Sequence, residues 1–392
     1  MKLAHLADLH LGFRQYYRQT PEGVNQREAD VALAFRAAVD GVLAERPDAV
    51  VIAGDLFHSV RPSNRSIVFA YRELQRLRAG IPDAPIVAIA GNHDTPRSSD
   101  VGSILRLYEE LGIHVATDEA RRFPFAKLGL SVLAVPHAAL EAGNVVLRPD
   151  GSEPFQVLLV HGEIAGLLPV DRYAMEYGGV LLDPEALSRE PWSYIALGHY
   201  HVQDQVFSRC WYAGSLEYVG PNIWGEQVTE SLRKVPGKGW LLADLDPGTV
   251  TRRPVSAARS IHDAPLLNAS GLAPAELDRL IGERLRNVPG GLRDAIVRVV
   301  VENIPREVVR ELDHAAIRSA KAEALHIQFD FRRPDAPSTA GAGAPGRRQT
   351  LPELVAGFLR RRPLPERLSR EQFVALGLEV LAEPDGSAIE ET

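Results

Sequence analysis

Apolar residues along this chain gather in short runs that stop abruptly on polar ones. Runs at 2–7, 49–53, 85–90, 155–160 and 194–197 are too short for ordinary helices and are bounded by turn residues, so each reads as a buried strand. They run into Asp8-Leu9-His10, Gly54-Asp55, Gly91-Asn92-His93-Asp94, His161 and Gly198-His199-Tyr200-His201. Gly91 permits the sharp turn that lets the next side chains project from a strand end. Between the first three runs lie helical patterns. Residues 26–45 place Val31, Phe35, Ala38, Val42 and Leu43 at spacings of three to four before Pro47, and residues 65–79 place Ile67, Val68, Tyr71, Leu74 and Leu77 on one side. Alternation of strand and helix predicts βαβ units. Right-handed crossovers then bring Asp8, Asp55 and Asn92 to one edge of one sheet, outside the carboxyl ends of the strands, where α/β proteins hold their ligands.

Further along, residues 102–111 read as a short helix, 130–135 as a strand ending at Pro136-His137, and 210–213 as another strand. The runs 240–245 and 250–255 flank Asp246-Pro247-Gly248 and predict a hairpin that closes a domain spanning 1–258, whose second half reads mostly as strand. A composition shift near Arg259 opens a smaller α-β-α-β unit over 259–334. It has helices at 274–286 and 305–322, a β-rich run at 295–301, and strict alternation over 325–331 that puts His326 on the polar face as a solvated histidine. Residues 335–350, rich in Ala, Gly, Pro and Ser, read as a flexible linker of roughly 20–24 Å root-mean-square span. The remaining stretch, 351–392, carries two amphipathic helices. One, 351–361, shows Leu354, Val355, Phe358 and Leu359 on a side; the other, 369–381, opens on a Ser369/Gln372 capping box and shows Phe373, Leu376, Val380 and Leu381. Two such helices are too small to make a core, so they are expected to dock.

Composition narrows the class without choosing a chemistry. The 392 residues are 45% apolar and 24% charged, as in ordinary globular proteins. No run approaches the roughly 18 apolar residues of a membrane span, and a first strand starting at Lys2 leaves no room for a signal peptide. With a single cysteine, Cys210, read as a small buried hydrophobe on a strand, the expectation is a cytoplasmic protein with no membrane association. A net charge of −7 argues against a surface that coats nucleic acid, yet leaves room for a local basic groove or a metal site that handles phosphates. Arg121-Arg122, Arg332-Arg333, Arg347-Arg348 and Arg360-Arg361-Arg362 read as solvated faces before they read as phosphate contacts.

The strand ends are where the chemistry concentrates. Asp8, His10, Asp55, Asn92, His161, His199 and His201 are oxygen and nitrogen donors suited to borderline divalent metals. Seven are too many for one tetrahedral site and about right for two ions sharing a bridge, for which Asp55 is the natural candidate. Two ions about 3.5–4 Å apart can bind both non-ester oxygens of a phosphate and acidify a water, which suits phosphoester hydrolysis. His93 would face the leaving oxygen as a proton donor, and Asp94 would hold its imidazole in one orientation.

These five clusters resemble the five motifs of the calcineurin-like metallophosphoesterases. The resemblance implies a four-layer αββα sandwich with a small α+β capping domain and a C-terminal helical tail. Gly54-Asp55-Leu56-Phe57-His58 followed by Arg61-Pro62, together with the cap and the tethered tail, is similar to the SbcD-type nuclease subunits of DNA double-strand-break repair, over nearly the whole chain. That resemblance implies that Asp8, His10, Asp55 and His201 hold one metal and Asp55, Asn92, His161 and His199 another, usually manganese, with magnesium as the alternative. It implies that His93 is catalytic and that His58 positions DNA or the scissile phosphate; the competing reading of His58 is a hydrogen bond within its own loop. It further implies an exonuclease and endonuclease acting on double-stranded DNA ends and single strands in repair and recombination. The implied partners are an SMC-like ATPase of the SbcC type, bound through 351–392 around Phe358 and Phe373, and a second copy of the chain, met through helices beginning near Asn64 and Gly102. Two other readings keep part of this: the same site acting on a small or non-DNA phosphoester, and a chain that mainly scaffolds the ATPase on DNA ends. The cap and tail weigh against the first, and the full set of seven donors against the second.

Overall fold

A computed structural model describes residues 1–96, 102–167, 178–334, 351–362 and 369–382, so the linker at 335–350 lies outside the described residues. Its elements run, in chain order, β1 (Lys2–Leu6), α1 (Gln26–Glu45), β2 (Ala49–Ala53), α2 (Asn64–Gly80), β3 (Ile86–Ile89), a 3-10 helix (Ile104–Leu111), β4 (His114–Ala116), β5 (Arg121–Phe125), β6 (Leu130–Val135), α3 (His137–Glu141) and β7 (Phe155–His161). There follow β8 (Glu163–Ile164), β9 (Leu181–Leu182), α4 (Pro184–Arg189), β10 (Tyr194–Gly198), β11 (Asp204–Phe207), β12 (Cys210–Tyr212), α5 (Ile223–Arg233), β13 (Gly239–Asp244) and β14 (Thr249–Pro254). The rest comprises β15 (Ile261–Asp263), β16 (Leu267–Asn268), α6 (Pro274–Arg286), β17 (Ile296–Glu302), α7 (Arg306–Glu311), α8 (His314–Glu323), β18 (His326–Phe331), α9 (Leu351–Arg361) and α10 (Arg370–Ala382).

Two six-stranded sheets stack face to face. The first has the order β14-β13-β1-β2-β3-β4 and the second β11-β12-β10-β7-β6-β5. Strands β1, β2 and β3 are parallel neighbours, with Leu6 opposite Ile52 and Ala53 opposite Ile89, so Asp8, Asp55 and Asn92 do leave one sheet on one edge. In the second sheet β7 and β10 are parallel, with Gly198 opposite His161. Side-chain alternation sorts the layers. Ala4, Leu6, Val50 and Ile52 face α1 and α2, whereas Leu3, Val51 and Ala53 meet Val157, Leu159 and Ala196 between the sheets. Leu158, Val160, Ile195 and Leu197 point outward to Trp192, α3 and α4. This is the four-layer αββα sandwich expected from the sequence.

Several elements differ from the sequence reading. The 240–255 hairpin forms and docks as the edge of the first sheet, because β13 pairs antiparallel with β1. A helix, α5, occupies a region read as mostly strand; its Trp, Gly, Val and Thr residues weaken the helical signal, and Asn222 caps it by accepting from the Gly225 N–H. The expected helix over 305–322 is broken: Leu312 is extended, and Asp313 starts α8 by accepting from the N–H groups of Ala315 and Ala316. Val68, assigned to the apolar side of its helix, is 47% exposed, while Ser66, Ala70 and Glu73 take the buried positions. Cys210 is buried, as read, and its burial raises the thiol pKa.

Residues Met1–Arg333 form one compact unit and Pro334–Thr392 another. Within the first, the segment from β15 to β18 has its own sheet, all parallel, in which β17 pairs with β15, β16 and β18. It also has its own core, built around Leu277, Ile281, Val297, Val299 and Ile327. It meets the double sheet through Tyr16, Arg18, α5 and Arg259. His326 is not solvated as expected: its ring stacks on Tyr16 at 4.1 Å and 13°. Nearby, Trp224 Nε1 donates to Gln328 Oε1 at 3.0 Å, and Arg18 pairs with Asp294 at 3.1 Å. Two of the basic pairs are engaged in local ion pairs: Arg121 with Glu109, Arg122 with Asp150, and Arg332 with Asp330 and Glu302. In the second unit, α9 and α10 pack on each other, burying Ala356 and Val374 and leaving Phe358 and Leu376 54% and 57% exposed. Among the described residues, no helix is long and apolar enough to cross a membrane.

Candidate metal centre

The polar residues at the strand ends converge. After β1 and β2 the chain turns through residues in the left-handed region, Asp8 (φ 51°), His10 (φ 45°) and Asp55 (φ 49°), and after β10 through His199 (φ 103°). Non-glycine residues adopt this conformation at a cost of about 1–3 kcal/mol, and such strain collects at functional sites. Close contact of the two sheets makes the convergence possible. A Cβ on Gly198 would overlap the Ala53 carbonyl oxygen, so only glycine lets β10 pass this near β2.

Asp8, Asp55, His10, His161, His199 and His201 are all buried. Within this set, donor atoms of Asp8, His10 and His201 lie within 4.8 Å of one another, as do those of Asp8, Asp55 and His161, and those of His10, His58 and His93. Asp55 Oδ2 stands between the first two groups, 3.7 Å from His10 Nε2 and 3.5 Å from His161 Nε2. Asn92 Oδ1 is 2.9 Å from His161 Nε2 and 3.2 Å from His199 Nδ1. His10 Nε2 and His201 Nε2 are 3.1 Å apart.

Proton positions test whether this set fits a cation. His161 Nδ1 lies 2.8 Å from the Ala53 carbonyl oxygen, which can only accept, so Nδ1 carries the proton. In the neutral ring Nε2 is then a lone pair, and it faces Asn92 Oδ1 and Asp55 Oδ2, which are also acceptors. A cation among these atoms would engage all three. A mixed carboxylate, amide and imidazole set matches a divalent transition metal.

Backbone amides hold the acids in place. Asp8 Oδ1 accepts from the His199 N–H and Asp55 Oδ1 from the His93 N–H, each at 2.9 Å. Asp94 departs from its expected role. It does not orient the His93 ring; its two oxygens accept from the N–H groups of Leu56, Phe57 and Gly91 and so tie the β2 and β3 loops together. Burial, and then the neighbouring Asp55 carboxylate, push its pKa up to about 7 against the pull of those three bonds. The partner of His93 Nδ1 is the His58 carbonyl oxygen at 2.8 Å. His58 thus bonds a neighbouring loop through its backbone, while its ring stacks near His93 at 5.1 Å and its Nδ1 lies 3.2 Å from His10 Nδ1.

Sequence reasoning missed a second layer. Glu226 and Glu230 on α5, and Lys238 before β13, form a buried cluster against His201. No motif marks them, since Glu226 and Glu230 are simply one helical turn apart and Lys238 lies between two glycines. His5, also passed over, is buried between the sheets, where its Nδ1 is 3.0 Å from the Tyr194 hydroxyl.

Comparison with known proteins adds the following. The family model for calcineurin-like phosphoesterases matches residues 1–203. The chain is similar to DNA double-strand break repair protein Mre11 of Saccharolobus solfataricus, 29% identical over 254 residues that cover 62% of this chain and 60% of the relative. It is 36% identical to the protein of that name from Methanococcus maripaludis over 264 residues, 62% of this chain and 63% of the relative. The Archaeoglobus fulgidus protein is 32% identical over 224 residues, 52% of this chain and 46% of the relative. The match thus spans less than two thirds of each of these relatives.

Proposed function

We propose that this chain, which belongs to the calcineurin-like phosphoesterase family, is a metal-dependent nuclease that hydrolyses phosphodiester bonds in DNA. The observation that carries the reading is the position of Asp55 Oδ2, within 3.7 Å of nitrogen atoms from both groups of donors, where one carboxylate can serve two ions. In this reading Asp8, His10, Asp55 and His201 hold one divalent ion and Asp55, Asn92, His161 and His199 the other, manganese before magnesium. The ions would supply positive charge to the phosphate and acidify a water.

The remaining roles belong to the chain. Asp8 and Asp55 bring negative charge that ion binding offsets. His93 commits its Nδ1 proton to the His58 carbonyl, which leaves Nε2 as the nitrogen for the reaction. As the imidazolium it donates that second proton to the leaving ester oxygen when the phosphorus–oxygen bond breaks, and it ends neutral. His58, stacked on His93, fixes that ring and lines the approach of the phosphate.

Similarity to proteins named for double-strand-break repair supports DNA as the substrate, both double-stranded ends and single strands. The helical unit at 351–392, with Phe358 and Leu376 exposed, suits docking to an SMC-like ATPase of the SbcC type. Val68 and Leu107, exposed on α2 and the 3-10 helix, suit contact with a second copy. The test is to incubate the purified protein with end-labelled linear double-stranded and single-stranded DNA, with manganese, magnesium or chelator, beside His93→Ala. Degradation that requires manganese and disappears in the variant is the expected result. Hydrolysis of bis-p-nitrophenyl phosphate with no cutting of either DNA would overturn the choice of substrate, and full activity in the variant would overturn the role of His93.

A further inference from the structure

His201 differs from the other imidazoles of the site in what stands behind it. His161 and His93 set their Nδ1 protons on backbone carbonyls. His201 instead turns Nδ1 toward a buried carboxylate, Glu226 Oε1, at 3.6 Å, while its Nε2 points at His10. Glu226 is itself held. Its Oε1 accepts from the Gly220 N–H at 3.0 Å, and its Oε2 pairs with the Lys238 ammonium. Lys238 also donates to the His201 carbonyl oxygen at 3.0 Å and pairs with Glu230 at 3.2 Å. A Cβ on Gly220 would overlap Glu226 Oε1 and lie 3.2 Å from His201 Nδ1, so glycine there leaves the carboxylate its place beside the imidazole.

A buried ion pair seldom repays its desolvation, so a lysine and two glutamates enclosed together here call for an explanation other than stability. Glu226 pairs directly with the enclosed Lys238 ammonium through Oε2 and turns Oε1 toward His201 Nδ1. A fixed negative charge beside Nδ1 favours the proton on that nitrogen and leaves Nε2 as the lone pair.

We propose that Glu226, held by Lys238 and the Gly220 N–H, is a positioning residue that fixes the Nδ1–H tautomer of His201 and strengthens its Nε2 as a metal ligand. This rests on the reading of His201 as a ligand. Carboxylates behind ligating histidines typically contribute 10- to 100-fold to metal affinity.

The test uses the full chain stripped of metal and titrated calorimetrically with manganese. Glu226→Gln should bind one of two ions about 10- to 100-fold more weakly. Glu230→Gln removes a carboxylate from the same lysine without touching His201, and should stay within about twofold. Equal losses in both variants, or none in Glu226→Gln, would overturn the proposal. Absence of ion binding by the unmodified protein would instead sink the metal-site reading on which it rests. A measurement on the unmodified, metal-free protein stands even if Glu226→Gln does not fold. Long-range ¹H–¹⁵N spectra of histidine-labelled protein, with His201 assigned by its absence in His201→Gln, should show the proton on Nδ1. A proton on Nε2 would refute the inference.

Discussion

The two sheets contribute to the site in opposite ways. The first supplies both carboxylates, Asp8 and Asp55, with His10, on loops that turn through left-handed residues, and Asn92 after β3. The second supplies three imidazoles, His161, His199 and His201, at or just past the ends of β7 and β10. One side therefore carries the carboxylates, restrained by backbone N–H groups. The other carries imidazoles, with His161 Nδ1 against an Ala53 carbonyl from the opposite sheet and His201 Nδ1 toward Glu226. Charge for cations comes from one layer and directional lone pairs from the other, so the centre exists only while the sheets are in register.

The most severe break in that comparison is at the contact itself. Gly198→Ala places a methyl group on the Ala53 carbonyl oxygen, and backbone has nowhere to retreat. The expected cost exceeds about 3 kcal/mol, above the usual range for overpacking, and circular dichroism melts should show a protein that is largely unfolded or melts far below the parent. Next, Asp55→Asn should lower hydrolysis of bis-p-nitrophenyl phosphate by roughly a thousandfold or more, since metal-ion catalysis is worth several kcal/mol. The same change removes one of three clustered acids, Asp8, Asp55 and Asp94. In chelator, its melting temperature should accordingly match or exceed that of the parent, whereas His161→Ala, which also loses its bond to Ala53, should melt lower. Equal melting behaviour of the two variants would show that the layers do not differ as described.

A gentler probe is His5, between the sheets and bonded to Tyr194 of β10. Burial lowers its pKa from 6.5 to about 3. The folded protein thus refuses a proton that the unfolded chain accepts. Its contribution to stability is complete above pH 6.5 and is lost as pH falls toward 3, by about 1.4 kcal/mol for each unit in that window. Urea melts at pH 7 and 5.5 should register the loss, and His5→Gln should flatten the slope. Smallest of all for the site is removal of 351–392, which holds none of the seven proposed ligands. It should leave hydrolysis of the small diester unchanged while abolishing capture of the ATPase in a pull-down.

How much of this could be read in the sequence follows from where each residue sits. Asp8, Asp55, Asn92, His161, His199 and His201 are legible because an apolar run ends immediately before or near each, and parallel pairing turns those ends into one edge. Glu226 and Lys238 are not, because they act across tertiary distance from a helix whose Gly225 and Thr229 blur its period. Asp94 misleads by adjacency: next to His93 in the chain, its carboxylate folds back onto the amides of two loops. His326 shows the same limit from the other side, since alternation places it on an outer face but cannot foresee Tyr16 arriving to cover it. Short strands such as β4 and β11 depend on their neighbours more than on their own residues.

Strand β1, which leads into Asp8 and His10, lies between β2 and β13. The partner on one side is thus made early in translation and the other only after residues 7–238 have been added, roughly 10–50 seconds later at about 5–20 residues per second. His201 and the Lys238 behind it arrive in the same late stretch. A growing chain that has made Asp8, His10, Asp55 and Asn92 therefore lacks His161, His199 and His201 until the strands of the second sheet have followed.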